Sequence, residues 1–176
     1  MCTWSTTRQT CIGTYDPACA TGEAFQQALG VTQQDAYEYL TFYVTDNWEC
    51  GPGYSDMVAN YYCLENVHLY HNGDRLACLS AYNATIQQNG FTCGALANYT
   101  TCYINVYTKY CGAIGGYIGC NLVEVGALVG APYCADQLPT CSKNFGAHKP
   151  FGMRRKLAAM RLAQKNHNKD DASKIV

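Results

Sequence analysis

The sequence predicts an all-α protein: a small disulfide-rich helical domain of about five helices, followed by a basic C-terminal tail. Three observations lead to this fold class. Apolar residues recur at spacings of three and four rather than two, twelve cysteines lie among 176 residues, and nine of the twelve Lys and Arg residues follow the last cysteine. We therefore predict a cysteine-rich helical domain over residues 1–141 and a separate basic tail over residues 142–176.

The net charge of −1 conceals two oppositely charged parts of the chain. Residues 1–141 hold three basic and eleven acidic residues, a net charge of −8. Residues 142–176 hold nine basic and two acidic residues, a net charge of +7. Such an asymmetry indicates that the tail has a partner of its own.

The first two predicted helices lie in the first half of the chain. Residues 32–45 begin with Thr32 and Asp35 at the spacing of a capping pair. Their apolar side chains recur at helical intervals: Ala36, Tyr39, Leu40, Tyr43 and Val44. Ser55 opens the second helix. Asn72-Gly73 supplies the signal that is expected to stop it.

Two further helices are predicted before Gly112. Residues 75–88 form the shorter one, which Asn89-Gly90 ends. The other follows Cys93 and carries the clearest apolar stripe of the chain. The members of this stripe are Leu96, Tyr99, Tyr103, Val106, Tyr107 and Tyr110. No convincing alternation of apolar and polar residues supports a strand.

The most apolar stretch of the chain covers residues 113–131, in which Glu124 is the only charge. Nineteen such residues are long enough to cross a bilayer, but Glu124 and Asn121 would be costly at its centre. We therefore predict a buried helix that ends at Pro132. Its glycines would permit close backbone packing: Gly115, Gly116, Gly119 and Gly126.

The cysteines are predicted to form a disulfide framework. They are Cys2, Cys11, Cys19, Cys50, Cys63, Cys78, Cys93, Cys102, Cys111, Cys120, Cys134 and Cys141. An even, dense set in a chain of this size is typical of extracellular proteins, and no pair has the two-residue spacing of zinc or redox motifs. The nine-residue interval that recurs from Cys93 to Cys120 turns a helix by about 900°, so that one helix could be stapled on both flanks. Their pairing is not predictable from sequence.

Short motifs around the cysteines resemble a known family. They include Cys50-Gly-Pro-Gly-Tyr, Tyr62-Cys63-Leu64, Ala77-Cys78, Lys109-Tyr110-Cys111-Gly112, Gly116-Tyr117-Ile118-Gly119-Cys120 and Cys134-Ala-Asp-Gln-Leu-Pro-Thr-Cys141. In the order of these features, residues 2–141 resemble the cysteine-rich secreted domain that is expanded in nematodes and catalogued as domain of unknown function nineteen. The resemblance implies an extracellular, mostly helical, disulfide-bonded domain with no assigned catalytic residues.

The start of the chain departs from that family. Its members usually begin with a signal peptide and a further cysteine-bearing segment, whereas this chain begins at Met1 without a signal-peptide pattern. We expect a truncated N-terminus, a mature form with an added Met1 or, least favoured, a cytosolic protein with reduced thiols. The resemblance also stops at Cys141 and says nothing about the tail.

Two N-glycosylation sequons suit an extracellular protein: Asn83-Ala-Thr and Asn98-Tyr-Thr. Asn98 is the favoured site because it lies off the apolar stripe of its helix. Asn83 shares a helical face with Leu76 and Leu79 and is expected to be partly covered. Either sequon can also remain unoccupied.

The tail contains a predicted basic amphipathic helix. Its apolar face holds Met153, Leu157, Met160 and Ala163. Its candidate residues for binding an anionic surface are Arg154, Arg155, Lys156, Arg161 and Lys165. The partners we consider are an anionic membrane, a glycosaminoglycan or nucleic acid, and an acidic protein. The alternatives are a solvated tail, a helix docked on the acidic domain itself, or cleavage at the dibasic Arg154-Arg155 pair.

The sequence contains no motif that encodes a reaction. His68 and His71 stand three residues apart on a predicted helix, but no zinc-protease pattern surrounds them and His68 continues an apolar row, so we predict no metal site. Neither a Gly-x-Ser-x-Gly elbow nor a His-Glu-x-x-His motif occurs. We expect a protein that is not an enzyme and has no cofactor.

Three functions from different classes fit these features. The favoured one is a secreted, non-enzymatic binding module whose tyrosine-rich surface contacts an extracellular protein or a small apolar ligand. The second is an extracellular carrier that encloses a lipid or other apolar ligand between its helices. The third is a membrane-active or host-defence protein that acts through its basic tail. No specific nucleic-acid partner is expected.

Overall fold

The computed structural model describes residues 2–143, apart from the side chain of Pro17. Helices dominate this range, and none of its residues forms a strand. The helices are α1 (Cys2–Ile12), α2 (Asp16–Cys19), α3 (Gly22–Leu29), α4 (Gln33–Glu49), α5 (Tyr54–Ala59), α6 (Tyr61–Tyr70), α7 (Asn72–Asn89) and α8 (Cys93–Gly130), with 3₁₀ turns at Gly13–Tyr15 and Pro132–Cys134. The all-α prediction is confirmed.

The helix count differs from the prediction of about five, since seven of these helices are longer than the single turn α2. Two of the additional helices, α1 and α3, lie before the first predicted one. A further one arises because the helix expected from Ser55 is broken at Asn60. The backbone N–H and the side-chain amide of Asn60 both donate to the carbonyl of Asp56, at 3.1 and 2.8 Å, and the backbone of Asn60 leaves helical geometry with φ −112° and ψ 11°.

Helix boundaries agree with the capping signals at three places and differ at one. Thr32 and Asp35 form a reciprocal capping box at the start of α4, Gly90 follows the end of α7 with a positive φ of 75°, and Pro132 follows the end of α8. Asn72-Gly73, predicted to stop a helix, instead lies in the first turn of α7. The helix before it ends at Tyr70.

Helix α8 folds back on itself at Gly112, whose φ of 68° breaks the helical backbone. Leu96 and Leu128 belong to one buried cluster. Thirty-two residues of straight helix would separate them by about 48 Å, so the two arms, 93–111 and 113–130, must run antiparallel. The sequence prediction of one helix before Gly112 and another after it is therefore confirmed.

Small residues let the second arm of α8 approach its neighbours. A Cβ atom on Gly119 would lie 2.6 Å from the Tyr107 ring of the first arm, and one on Gly126 would lie 3.1 Å from Thr41 of α4. The core forms around this hairpin, because all three buried clusters contain residues of α8. Glycine in this stretch thus serves close packing, as predicted.

Five disulfides cross-link the described residues. They are Cys2–Cys50, Cys63–Cys111, Cys78–Cys102, Cys93–Cys134 and Cys120–Cys141. Four of them attach α8, each through one of the cysteines spaced by nine residues, so the prediction of a multiply stapled helix is confirmed. The prediction that all twelve cysteines form disulfides differs from the structure at Cys11 and Cys19, whose thiols are free and exposed.

Judged by length and composition alone, helix α8 could cross a membrane. Half of its most apolar window is buried inside the protein, and residues from Gly115 to Asn121 are all buried. The antiparallel arms and four disulfides make it the core of a folded domain, as the sequence predicts for residues 113–131.

Candidate functional site

A surface depression runs along the N-terminal half of α4. We call it the α4 groove; it has a volume of about 470 Å³ and is lined by Val31, Asp35, Glu38, Tyr39 and Phe42. The last four of these residues follow one another at intervals of three, one and three, and so share one side of the helix. Ala36, Leu40 and Tyr43 lie on the other side and are buried.

Aromatic side chains give the α4 groove its apolar character. Phe42 is 67% exposed and Tyr39 is 51% exposed, although both lie on a helix of the core. The Tyr39 ring is nearly parallel to that of Phe25 of α3, with the centroids 6.5 Å apart. Phe25 also meets the buried Tyr43 edge-on at 6.0 Å. Helix α3 therefore holds one wall of the groove in place.

The charged residues of the α4 groove are both acidic. Asp35 accepts the hydroxyl hydrogen bond of Thr32 at 2.7 Å, and Glu38 accepts one from the Gln34 side-chain amide at 3.0 Å. Both carboxylates stay exposed to solvent. Exposed aromatic rings flanked by carboxylates suit a ligand that is apolar on one side and cationic on the other.

A polar cluster fastens the N-terminal helices to α4 behind the groove. Arg8 forms an ion pair with Asp46 at 2.8 Å, and both side chains are largely buried. Its guanidinium also lies 4.2 Å from the ring centroid of Tyr43. Tyr43 in turn donates a hydrogen bond to Asp16. Burial, followed by this hydrogen bond, raises the pKa of Tyr43.

A second depression, of about 460 Å³, lies on α7. It is lined by Leu76, Leu79, Ser80, Asn83, Ala84 and Gln87, without a charge. Like the α4 groove it is open to solvent rather than enclosed. Neither of these two depressions is therefore an enclosed ligand site of the kind that a carrier would need.

Both sequon asparagines, Asn83 and Asn98, lie on exposed helix surface. The expectation that Asn83 is partly covered differs from the structure, because Leu76 and Leu79 on its face are themselves exposed. In the other sequon Thr100 is fully buried, and its hydroxyl donates to the carbonyl of Leu96 at 2.8 Å. The folded chain thus presents the Asn83 sequon more openly than the favoured one.

The two histidines considered as metal ligands are engaged separately. The Nδ1 atom of His68 lies 2.6 Å from a guanidinium nitrogen of Arg75. The His71 ring stacks on Tyr110 with a centroid distance of 3.8 Å. In residues 2–143 the one group with the proximity of metal ligands is Cys120, Glu124 and Cys141. Because its two cysteines form a disulfide, it offers a single carboxylate.

The tyrosines divide between packing and surface. Tyr99, Tyr103 and Tyr107 of the predicted stripe form a column of rings along the first arm of α8, and Tyr82 of α7 stacks on Tyr99 at 4.8 Å. Burial, followed by a hydrogen bond with Tyr103, raises the pKa of Tyr99. The exposed aromatic surface comes instead from other residues, among them Trp4, Tyr15, Tyr62 and Tyr70.

The predicted anionic-surface residues Arg154, Arg155, Lys156, Arg161 and Lys165 lie outside the described residues. The first cation of the tail, Lys143, is described. Its Nζ atom is 2.6 Å from an Asp56 carboxylate oxygen and 5.4 Å from the ring centroid of Tyr117. The hydrogen bond to Asp56 raises the pKa of Lys143. The tail thus leaves the domain beside α5 and the second arm of α8.

Sequence reasoning placed Tyr39 in the apolar row that faces the core and gave Asp35 only the role of a capping residue. It did not single out Phe42 or Glu38. The signal that could have found these residues is the width of the apolar row on α4. A helix that packs on one side buries only a limited arc of its surface, and both Tyr39 and Phe42 lie outside the arc centred on Leu40.

No protein-family model, no curated protein and no solved structure matches the chain.

Proposed function

We propose that the protein is a secreted, non-enzymatic interaction module that uses the α4 groove to bind a basic amphipathic segment of an extracellular partner. The observation that carries this proposal is the exposure of Phe42 and Tyr39 directly beside Asp35 and Glu38. Aromatic residues are enriched at the energetically important centres of protein interfaces. Carboxylates at the edge of an aromatic patch select for cationic partners.

The extracellular setting is supported by the five disulfides, which are typical of proteins that fold in an oxidising compartment. The resemblance to the nematode-expanded secreted domain stays a prediction from the motifs around the cysteines. Secretion can be tested by expressing the chain behind a signal peptide in eukaryotic cells. We expect soluble protein in the medium, and a loss of glycan mass in the Asn83→Gln or Asn98→Gln variant; retention inside the cell with free thiols would contradict the proposal.

Two synthetic helical peptides test the binding function. They share leucines at positions i, i+3, i+4 and i+7, and their polar faces carry either lysine or glutamate. We expect the full chain to bind the lysine peptide and not the glutamate peptide, because the groove is acidic. Isothermal titration calorimetry gives both affinities.

Two exposed apolar residues provide matched variants for this measurement. Phe42→Ser removes the centre of the α4 groove and is expected to weaken binding of the lysine peptide about tenfold or more, as for a central interface residue. Leu79→Ser changes the uncharged depression on α7 and is expected to stay within about twofold of the wild type. Equal losses in both variants, or equal binding of both peptides, would exclude the groove as the recognition site.

A further inference from the structure

We infer that the α4 groove is covered in the free protein by the chain's own basic segment, residues 153–165, which a partner must displace. As a regulatory device this inference rests on the proposed function, since competition needs a partner for the groove. The docking itself is a separate physical claim, supported by charge, by reach and by the spacing of apolar residues.

Charge complementarity is the first argument. The domain over residues 1–141 carries a net charge of −8 and the remainder a net charge of +7. Within the domain, the three basic side chains are engaged away from the groove: Arg8 pairs with Asp46, Lys109 pairs with Asp74, and Arg75 contacts His68. The cations that can neutralise the groove from within this chain therefore come from the tail.

The path of the chain is the second argument. Cys141 is fixed to Cys120 by a disulfide, and Lys143 is held by Asp56 and Tyr117. The Tyr117 ring lies 6.3 Å from that of Trp48, on the same helix as the groove. Phe42 lies about 9 Å from Trp48, measured along the axis of α4.

The linker is long enough to cover that distance. Met153 follows Lys143 by ten positions, and an extended chain of ten steps spans about 33 Å. Lys143 lies near the C-terminal end of α4, because Tyr117, which it contacts, packs beside Trp48. The segment from Met153 onward can therefore reach the groove. Tethering at this range corresponds to an effective concentration in the millimolar range, so even weak contacts are populated.

The apolar spacing is the third argument. The lining residues Asp35 and Phe42 are seven residues apart on α4, a distance of about 10 Å along the helix. On the predicted tail helix, Met153 and Met160 are also seven residues apart, with Leu157 between them. This apolar face matches the aromatic floor of the groove, while the flanking arginines and lysines meet its two carboxylates.

Zero-length cross-linking of the full chain with a carbodiimide tests the docking, because the reagent joins a lysine amine to a carboxylate only at contact. We expect amide bonds from Lys156 or Lys165 to Asp35 or Glu38 in the monomer fraction, mapped by mass spectrometry. Their yield is expected to fall at high salt, which screens exposed charge pairs.

Two charge-matched variants in the tail sharpen this test, and neither changes a residue of the domain over residues 1–141. Both R154E/R155E and K169E/K174E change the net charge by the same amount. We expect the first to lower the cross-link yield about fivefold or more, since it reverses two ion pairs at the groove. The second is expected to stay within about twofold of the wild type.

Several outcomes would overturn the inference. Cross-links spread evenly over Glu65 and Asp136 would show an attracted tail without a docking site. Cross-links to Glu38 that occur only in covalent dimers would assign the groove to the tail of a second copy. If the lysine peptide binds at the groove while the monomer shows no such cross-link, the proposed function stands and this inference falls. If the cross-link forms and the peptide binds neither the full chain nor the R154E/R155E variant, from which the competing tail is released, this inference stands and the proposed function falls.

Discussion

The N-terminal region, residues 2–59, and the C-terminal region, residues 60–143, are held together by different means. Four of the five disulfides lie wholly within the C-terminal region, and only Cys2–Cys50 lies within the N-terminal one. Two of the three buried clusters consist of C-terminal residues alone. The N-terminal helices depend instead on the Arg8 cluster and on the packing of α4 against α8.

This difference separates the scaffold from the candidate binding surface. The cross-linked α8 hairpin supplies the rigid core, whereas the α4 groove and its supporting helix α3 belong to the less cross-linked region. Recognition surfaces placed on a rigid scaffold can vary in sequence at little cost to folding. The following experiments measure how far the two regions differ.

The largest expected effect is the loss of the fold on reduction. Each disulfide contributes roughly 2–4 kcal/mol to the free energy of unfolding, and five together are comparable to the whole stability of a typical domain. We expect the far-ultraviolet circular dichroism of the helices to collapse with excess reductant. Alkylation of Cys11 and Cys19 without reductant is the control and should leave the spectrum unchanged, because both thiols are exposed.

A sharper comparison uses two disulfides with the same sequence separation of 48 residues, Cys2–Cys50 and Cys63–Cys111. Equal loops imply an equal loop-closure contribution of about 4 kcal/mol, so the C2S/C50S and C63S/C111S variants should lose similar global stability. Only C2S/C50S should also open locally, with faster amide exchange confined to α1–α3.

Hydrogen exchange with denaturant titration checks both parts of this prediction. Identical exchange of α1–α3 in the two variants would mean that the N-terminal region is not a separately opening unit. The contrast between the regions would then be one of cross-link number and not of local stability.

A pair of glycines compares packing density in the two regions. A Cβ at Gly119 would lie 2.6 Å from the ring of Tyr107, which is buried, whereas one at Gly22 would lie at an ordinary 3.5 Å from the Tyr37 ring. We expect Gly119→Ala to lower the free energy of unfolding by about 1–3 kcal/mol through overpacking of the hairpin. Gly22→Ala should leave it unchanged or slightly raised; equal effects would contradict tighter packing in the C-terminal region.

The smallest expected effect concerns alkaline pH. Burial raises the pKa of Tyr99, Tyr107 and Tyr117 above the reference value of 10.0. A group whose pKa is raised on folding contributes stability below its unfolded pKa, and that stability is lost as the pH rises through the folded pKa. Stability should therefore fall above about pH 10, and Tyr99→Phe should reduce the fall; denaturant midpoints at several pH values measure it.

Local sequence signals predicted the hairpin region well. The stripe from Leu96 to Tyr110 indicated a helix before Gly112, the glycines after Gly112 indicated a close-packed buried helix, and the nine-residue cysteine interval indicated a helix stapled on both flanks. The antiparallel pairing of the two arms was not predicted. The signals succeeded because helical periodicity, glycine spacing and cysteine spacing are encoded over short stretches. The helices α1 and α3 were not predicted, since short helices with mixed composition owe their stability to tertiary packing.

The amino-acid sequence by itself determined the helical class, the cross-linked character and the separation of charge between residues 1–141 and 142–176, because composition and periodicity are properties of the chain alone. Only the tertiary structure decided which cysteines pair, that Cys11 and Cys19 remain free, and that Tyr39 and Phe42 form an acidic aromatic groove rather than part of the core. The reason is physical: pairing and burial depend on which helices meet in space, and those contacts join residues far apart in the sequence.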